Sequence, residues 1–393
     1  YAEFEDKLAD VMKTTGLTRE EVGKLNDELK KIDTRTSQKE LLDLARVAGK
    51  LGITGQEEIS GFVRAANQIK VALTEDLGGN VEESVNQLGK LVDIFNLEQE
   101  FGIEQSLLKV GSAINSLGAA GTANEAYMVE FAKRVAGIAP TAGFSIQSIM
   151  GLAATLDELG QTSEVSGTVF NQVIGGMFKD TGMYADLAGM KVNDFSRLLS
   201  ENANEAFIKV LEGAKGSNEG FATLAKNLNG LGLDGARATA VLGVLASNTD
   251  KLREKQALSN KEFRIGTSIT DEYNKKNETA QAQLEKAKKG FVDLANELGK
   301  KLTHAYTSVI SKSRLMIEFL MSLTDFLTKH GRTIVWLTSV MVAYTAALKI
   351  QMLWHTRLNK EKGIGLAMDK LQVTWNNLLK ASTLAFPVPK HCL

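Results

Sequence analysis

Apolar positions along the first 265 residues recur at three- and four-residue intervals, broken by glycine and by short Ser, Thr, Asn and Asp clusters. This is the spacing of amphipathic helices that bury one stripe each. Thr18-Arg19-Glu20-Glu21 carries a capping-box signature, in which a hydroxyl and a carboxylate three residues on satisfy each other's backbone amides. Ser37 with Glu40 repeats it, and Leu41, Leu44, Ala45, Val47 and Ala48 follow at helical spacing. Gly52-Ile53-Thr54-Gly55 separates that helix from one striped by Ile59, Phe62, Val63, Ala66 and Ile69.

The same grammar predicts a helix over 123–137, ending at Gly137-Ile138-Ala139-Pro140. Ser145 is expected to cap the next, with Ile146, Ile149, Met150, Ala153, Leu156 and Leu159 inward. A further helix holds Val165, Val169, Phe170, Val173 and Ile174 and is expected to stop at Gly175-Gly176. No fixed repeat length emerges, so the pattern leaves the stacking of these helices open.

Beyond about residue 270 the texture changes. Residues 271–303 are polar and glycine-poor, and Leu284, Ala287, Phe291, Leu294, Leu298 and Leu302 form an a/d seam of nearly three heptads. Two readings stand: a long helix packed on its own domain, or a self-associating coiled coil. Residues 315–327 are strongly apolar, and 333–348 carry no charge. With Lys349 able to snorkel, 333–354 approaches the roughly 20 residues that a membrane span needs. Trp336 and Trp354 sit near its ends as membrane-interface candidates. A buried hairpin of apolar helices is the competing reading. The expected divisions are 1–265, 266–305, 306–358 and 359–393, the last a helix with an extended tail.

Composition strengthens the helical reading. Only three prolines occur, Pro140, Pro387 and Pro389, and no run of alternating β-branched and aromatic residues predicts a strand. The fold class is therefore all-α: an array of amphipathic helices, then a long coiled-coil-like helix, then hydrophobic helices. Aromatics at 6% leave few large anchors for a thick single core. A net charge of −1 with interspersed signs argues against nucleic-acid binding as the main task. The chain begins at Tyr1 and ends in a Pro-rich segment, so a truncated piece of a longer protein is expected.

Candidate chemistry is sparse. Gly230-Leu231-Gly232-Leu233-Asp234-Gly235 fits G-x-G-x-x-G, but helix-like residues precede it where a dinucleotide site needs a strand. His304, His330, His355 and His391 lie far apart, and a lone Cys392 has no cysteine to pair with. The pairs Glu57-Glu58 and Glu82-Glu83 fall in first turns, where they meet the helix dipole. Neither catalytic residues, metal ligands nor a cofactor are expected.

Several stretches in order carry a resemblance. They are Thr15-Gly16-Leu17-Thr18 with Glu20-Glu21, Thr34 to Leu41, Leu44 to Ile53 leading into Glu57-Glu58-Ile59-Ser60-Gly61-Phe62, and Asn124-Glu125-Ala126 through Pro140. Gly143-Phe144-Ser145-Ile146, Leu152 to Leu156 and Gly167-Thr168-Val169-Phe170-Asn171 complete the set. Over residues 10–260 the chain resembles the core region of phage tail tape measure proteins.

That resemblance implies a structural protein of the virion, extended in the lumen of the tail tube and setting tail length. Its implied partners are further copies of itself, the tail tube protein and tail assembly chaperones. At infection the host membrane becomes a transient partner as the hydrophobic segments assist DNA passage. No nucleic-acid sequence is read. The rival readings are a membrane-active helical pore-former or toxin, a tail cell-wall hydrolase, and a soluble helical scaffold.

Overall fold

The computed structural model describes residues 2–215 and 235–309. Sixteen α-helices and no strand occur among them. In chain order they are α1 (Ala2–Thr15), α2 (Arg19–Lys30), α3 (Gln38–Lys50), α4 (Gln56–Leu73), α5 (Val81–Ile94) and α6 (Leu97–Ala119). There follow α7 (Glu125–Val135), α8 (Ile146–Glu158), α9 (Ser163–Lys179), α10 (Thr181–Leu187), α11 (Val192–Glu201) and α12 (Ala203–Lys215). The last four are α13 (Gly235–Ser247), α14 (Thr249–Ile265), α15 (Ser268–Asn277) and α16 (Ala280–Val309).

Local chemistry sets the starts. Both expected capping boxes form: the Thr18 side chain accepts from the Glu21 amide, the Ser37 side chain from the Glu40 amide, and each glutamate accepts from its cap backbone. Ser145 caps α8 in the same way, accepting from the Ser148 amide. Such a cap contributes about 1 kcal/mol by satisfying an otherwise orphaned amide. Glu57-Glu58 and Glu82-Glu83 do fall in the first turns of α4 and α5.

Glu3–Thr279 forms one compact unit, and the segment from Ala280 onward belongs to a second. Within the first, α4, α5, α8, α14 and α15 all pack on α6, while α7, α9 and α10–α13 build outward from α8 and α9. Gly102 bends α6, with a φ of 73° and ψ of 162° that an L side chain adopts only under strain.

Three expectations are corrected. First, scarce aromatics do not prevent a single core. The buried residues of this unit form one contiguous cluster, built of aliphatics and alanines. Its rings are concentrated: Phe170 meets Phe131, Phe144 and Phe207 edge-on at centroid distances of 6.1, 5.1 and 5.7 Å. Second, α9 does not stop at Gly175-Gly176 but runs on to Lys179. A Cβ on Gly176 would sit 2.5 Å from the Tyr184 hydroxyl, so this glycine lets a neighbour approach instead of ending the helix.

Third, the polar stretch from 266 is not one helix. Residues 268–277 form α15, packed on α4 and α6, and a new helix starts at Ala280. Asn277 explains the break. Its side chain accepts from the Arg35 amide at 3.0 Å and donates to the Asp33 carbonyl at 2.8 Å, anchoring the chain there.

Candidate functional site

Buried and half-buried charges offer the first place to look for chemistry. Lys255 on α14 and Glu158 at the end of α8 pair at 2.6 Å, with side chains only 6% and 4% exposed. Lys251 reaches the other Glu158 oxygen at 2.7 Å, and the Thr122 amide donates to Glu158 at 3.2 Å. Burial pushes the Glu158 carboxyl up, but the hydrogen bonds from Lys251 and Lys255 outweigh it and hold the group below the ordinary carboxylate range. A second clamp joins α12 to α14: Arg253 makes two 2.8 Å bonds to Glu205 and a 2.9 Å bond to Glu212. The hydrogen bonds that Arg253 donates to Glu205, against an opposing burial effect, raise its pKa further.

These arrangements surround the three carboxylates with cationic donors, and Glu158 and Glu212 are held below the ordinary carboxylate range. A general acid needs the reverse, a carboxyl whose protonated form is favoured by its surroundings. They act as ties between helices distant in sequence.

A cleft of about 410 Å³ opens between the C-terminal half of α6 and α14–α15, lined by Asn115, Ser116, Glu262, Asp271, Glu272 and Lys275 among others. Asn115 and Ser116 both donate to the Ser268 hydroxyl at 2.8 Å beside it. Among the described residues no cluster of His, Cys, Asp or Glu could hold a metal ion.

The predicted seam occupies a single helix. Leu284, Ala287, Leu294 and Leu298 on α16 are partly buried, whereas Phe291 is 43% exposed. Val292, which the seam pattern omits, is 36% exposed beside it. The side chain of Leu302 lies outside the described residues, as do Trp336, Trp354, the whole of 333–354 and most of the glycine motif at 230–235. No helix among the described residues is long and apolar enough to cross a membrane. The interhelical ties of Lys255 and Arg253 escaped the sequence reading. A lysine and an arginine in a polar helix carry no mark of burial, and their partners lie 41 to 97 residues away.

The described residues are thus an all-α assembly whose helices are joined by internal ion pairs, with Phe291 and Val292 exposed on the last described helix. The particular family follows from comparison. Residues 19–220, just over half of the 393, match the model of the phage-related minor tail protein, and the chain belongs to that family. It is thus a phage tail protein, virion-associated and structural in role. No curated protein matches the chain.

Proposed function

We propose that this minor tail protein is the tape measure of its phage tail. Three findings support the reading: the family, the all-α fold, and above all the apolar stripe along α16 with Phe291 and Val292 left exposed. A helix advances about 1.5 Å per residue, so the 30 residues of α16 extend roughly 45 Å and convert sequence length directly into distance. Copies would associate along Leu284, Ala287, Phe291, Leu294 and Leu298, removing apolar surface that one helix leaves wet. Tail tube subunits would then polymerise around the bundle, which lies in the lumen of the tube, after assembly chaperones have coated it.

Phe291→Asp tests the association step. A charge at the centre of the stripe would have to be desolvated in the bundle, so the variant is expected to sediment as a monomer where the parent sediments as an oligomer. A variant that sediments with the parent removes α16 as the associating element.

The same reading assigns 333–354 to the host membrane at DNA passage, on the strength of its uncharged run from 333 to 348 and its flanking Trp336 and Trp354. The full chain is expected to float with phospholipid vesicles and a chain ending at residue 309 to stay in the soluble fraction. Equal behaviour of the two speaks against the assignment.

A further inference from the structure

The last two helices of the compact unit, α14 and α15, lie across α6, α8 and α4, which precede them by roughly a hundred residues or more. Their inward face is unusual. Of the nine positions they bury, Thr249, Lys255, Gln256, Ser259 and Asn277 are polar. In α3, by contrast, Gln38 is the one polar residue among seven buried.

Hydrogen bonds fasten this pair of helices at intervals along its length. At the start, Gln256 donates to the Ser148 carbonyl at 3.1 Å and exchanges bonds of 2.8 and 2.9 Å with the Asn204 amide. Lys255 is tied to Glu158 at 2.6 Å. In the middle stand the Asn115 and Ser116 bonds to Ser268. At the end, the Tyr273 hydroxyl donates to the Asp33 carbonyl at 2.7 Å, and Asn277 bridges Asp33 and Arg35. Water can replace hydrogen bonds of this kind, so breaking them has a smaller net effect than baring an equally buried apolar face. An element held in this way is easier to open than one held by an equally buried apolar face.

Chain connectivity sets the direction of opening. The helix that follows starts at Ala280, so the rest of the chain joins the compact unit through Asn277. A pull from that side loads the Asn277 and Tyr273 bonds first and the Gln256 bonds last.

We propose that residues 249–277 form a releasable strap, which opens as one unit from its Asn277 end while α3, α4, α6 and α8 stay folded. This rests on contacts inside the compact unit alone and is independent of the tape measure reading.

Hydrogen exchange followed by mass spectrometry on the full chain, in a Cys392→Ser background, tests it with a staple and a wedge. Ser116→Cys with Ser268→Cys places two thiols where hydroxyls now stand 2.8 Å apart. Gly151→Ala is the wedge, because its Cβ would fall 2.7 Å from the Gln256 Cα and 2.8 Å from its nitrogen, while alanine favours α8 itself.

In the parent, amides of 249–277 are expected to exchange together, about tenfold or more faster than those of α3 and α4. Oxidising the staple should slow them to the α3 rate, reductant should restore them, and the wedge should speed them while α8 keeps its protection. Exchange of 249–277 in step with α3 in the parent overturns the strap. So does a closed staple that leaves the rate unchanged, or a cysteine pair that will not oxidise, since that contradicts the contact placing α15 on α6.

Discussion

Phe170→Ala is expected to lower the unfolding free energy by about 3–5 kcal/mol, a range typical of buried phenylalanine truncations. Phe170 is buried in α9 and meets three other rings edge-on, those of Phe131, Phe144 and Phe207, contributed by α7, the turn before α8, and α12. Removing it takes away one large apolar side chain and three ring contacts, and leaves a cavity that four elements would have to collapse to fill. The centre of the cluster is the worst place for such a hole, because each neighbour is itself held by the others. Thermal unfolding should shift downward by on the order of 10 °C for a unit of this size. Phe178, on the same helix but 50% exposed, serves as the control, and Phe178→Ala should change stability by no more than about 0.5 kcal/mol. Equal effects at the two positions would show that the ring cluster is not the core of this unit.

Lys255→Met carries the second large effect, about 3 kcal/mol or more, by leaving the buried Glu158 carboxylate short of its closest cation. Lys251 still reaches Glu158 at 2.7 Å, but its side chain is 37% exposed and screened by water, so it replaces little of what is lost. The pH dependence gives the effect a signature. Glu158 has a folded pKa below its ordinary value of 4.5, since the lysine bonds outweigh the upward push of burial. A depressed carboxylate pKa contributes stability that is fully present above the unfolded value and drains away as pH falls through the lower folded value. The parent should therefore lose stability steeply below about pH 4.5, and the variant should lose less, having already lost most of the pair. Urea denaturation at pH 7 and at pH 3.5 measures both. A penalty that is the same at the two pH values would place the destabilisation in lost packing and not in the ion pair.

These two sites also show how the fold divides between what a sequence displays and what only three dimensions reveal. Caps were legible at Thr18, Ser37 and Ser145, because a hydroxyl acting on an amide three residues away is a local event. Helical stripes were legible for the same reason, since periodicity is local as well. What failed was anything set by distant partners. Gly175-Gly176 looks like punctuation, yet Gly176 is a contact point for Tyr184 and the helix continues through it. The break between α15 and α16 has no glycine or proline to mark it; Asn277 is fixed by Asp33 and Arg35, more than 240 residues earlier. The Phe170 cluster, too, gathers rings from positions that no window of sequence contains together.

The seam occupies an intermediate position. Its five described members fall on one helix as their spacing requires, but whether α16 meets a second copy is a property of the surface and not of the period. Phe291 and Val292 are exposed on that helix, and the association proposed for it rests on them.

The measurement that bears most directly on the tape measure reading is tail length in phage carrying an altered gene. Inserting four in-register heptads into α16 keeps the apolar stripe continuous and adds 28 residues of helix, about 42 Å at 1.5 Å per residue. Electron microscopy should show tails longer by that amount. Tails of unchanged length, built around a longer protein that is still present in the virion, would contradict the account.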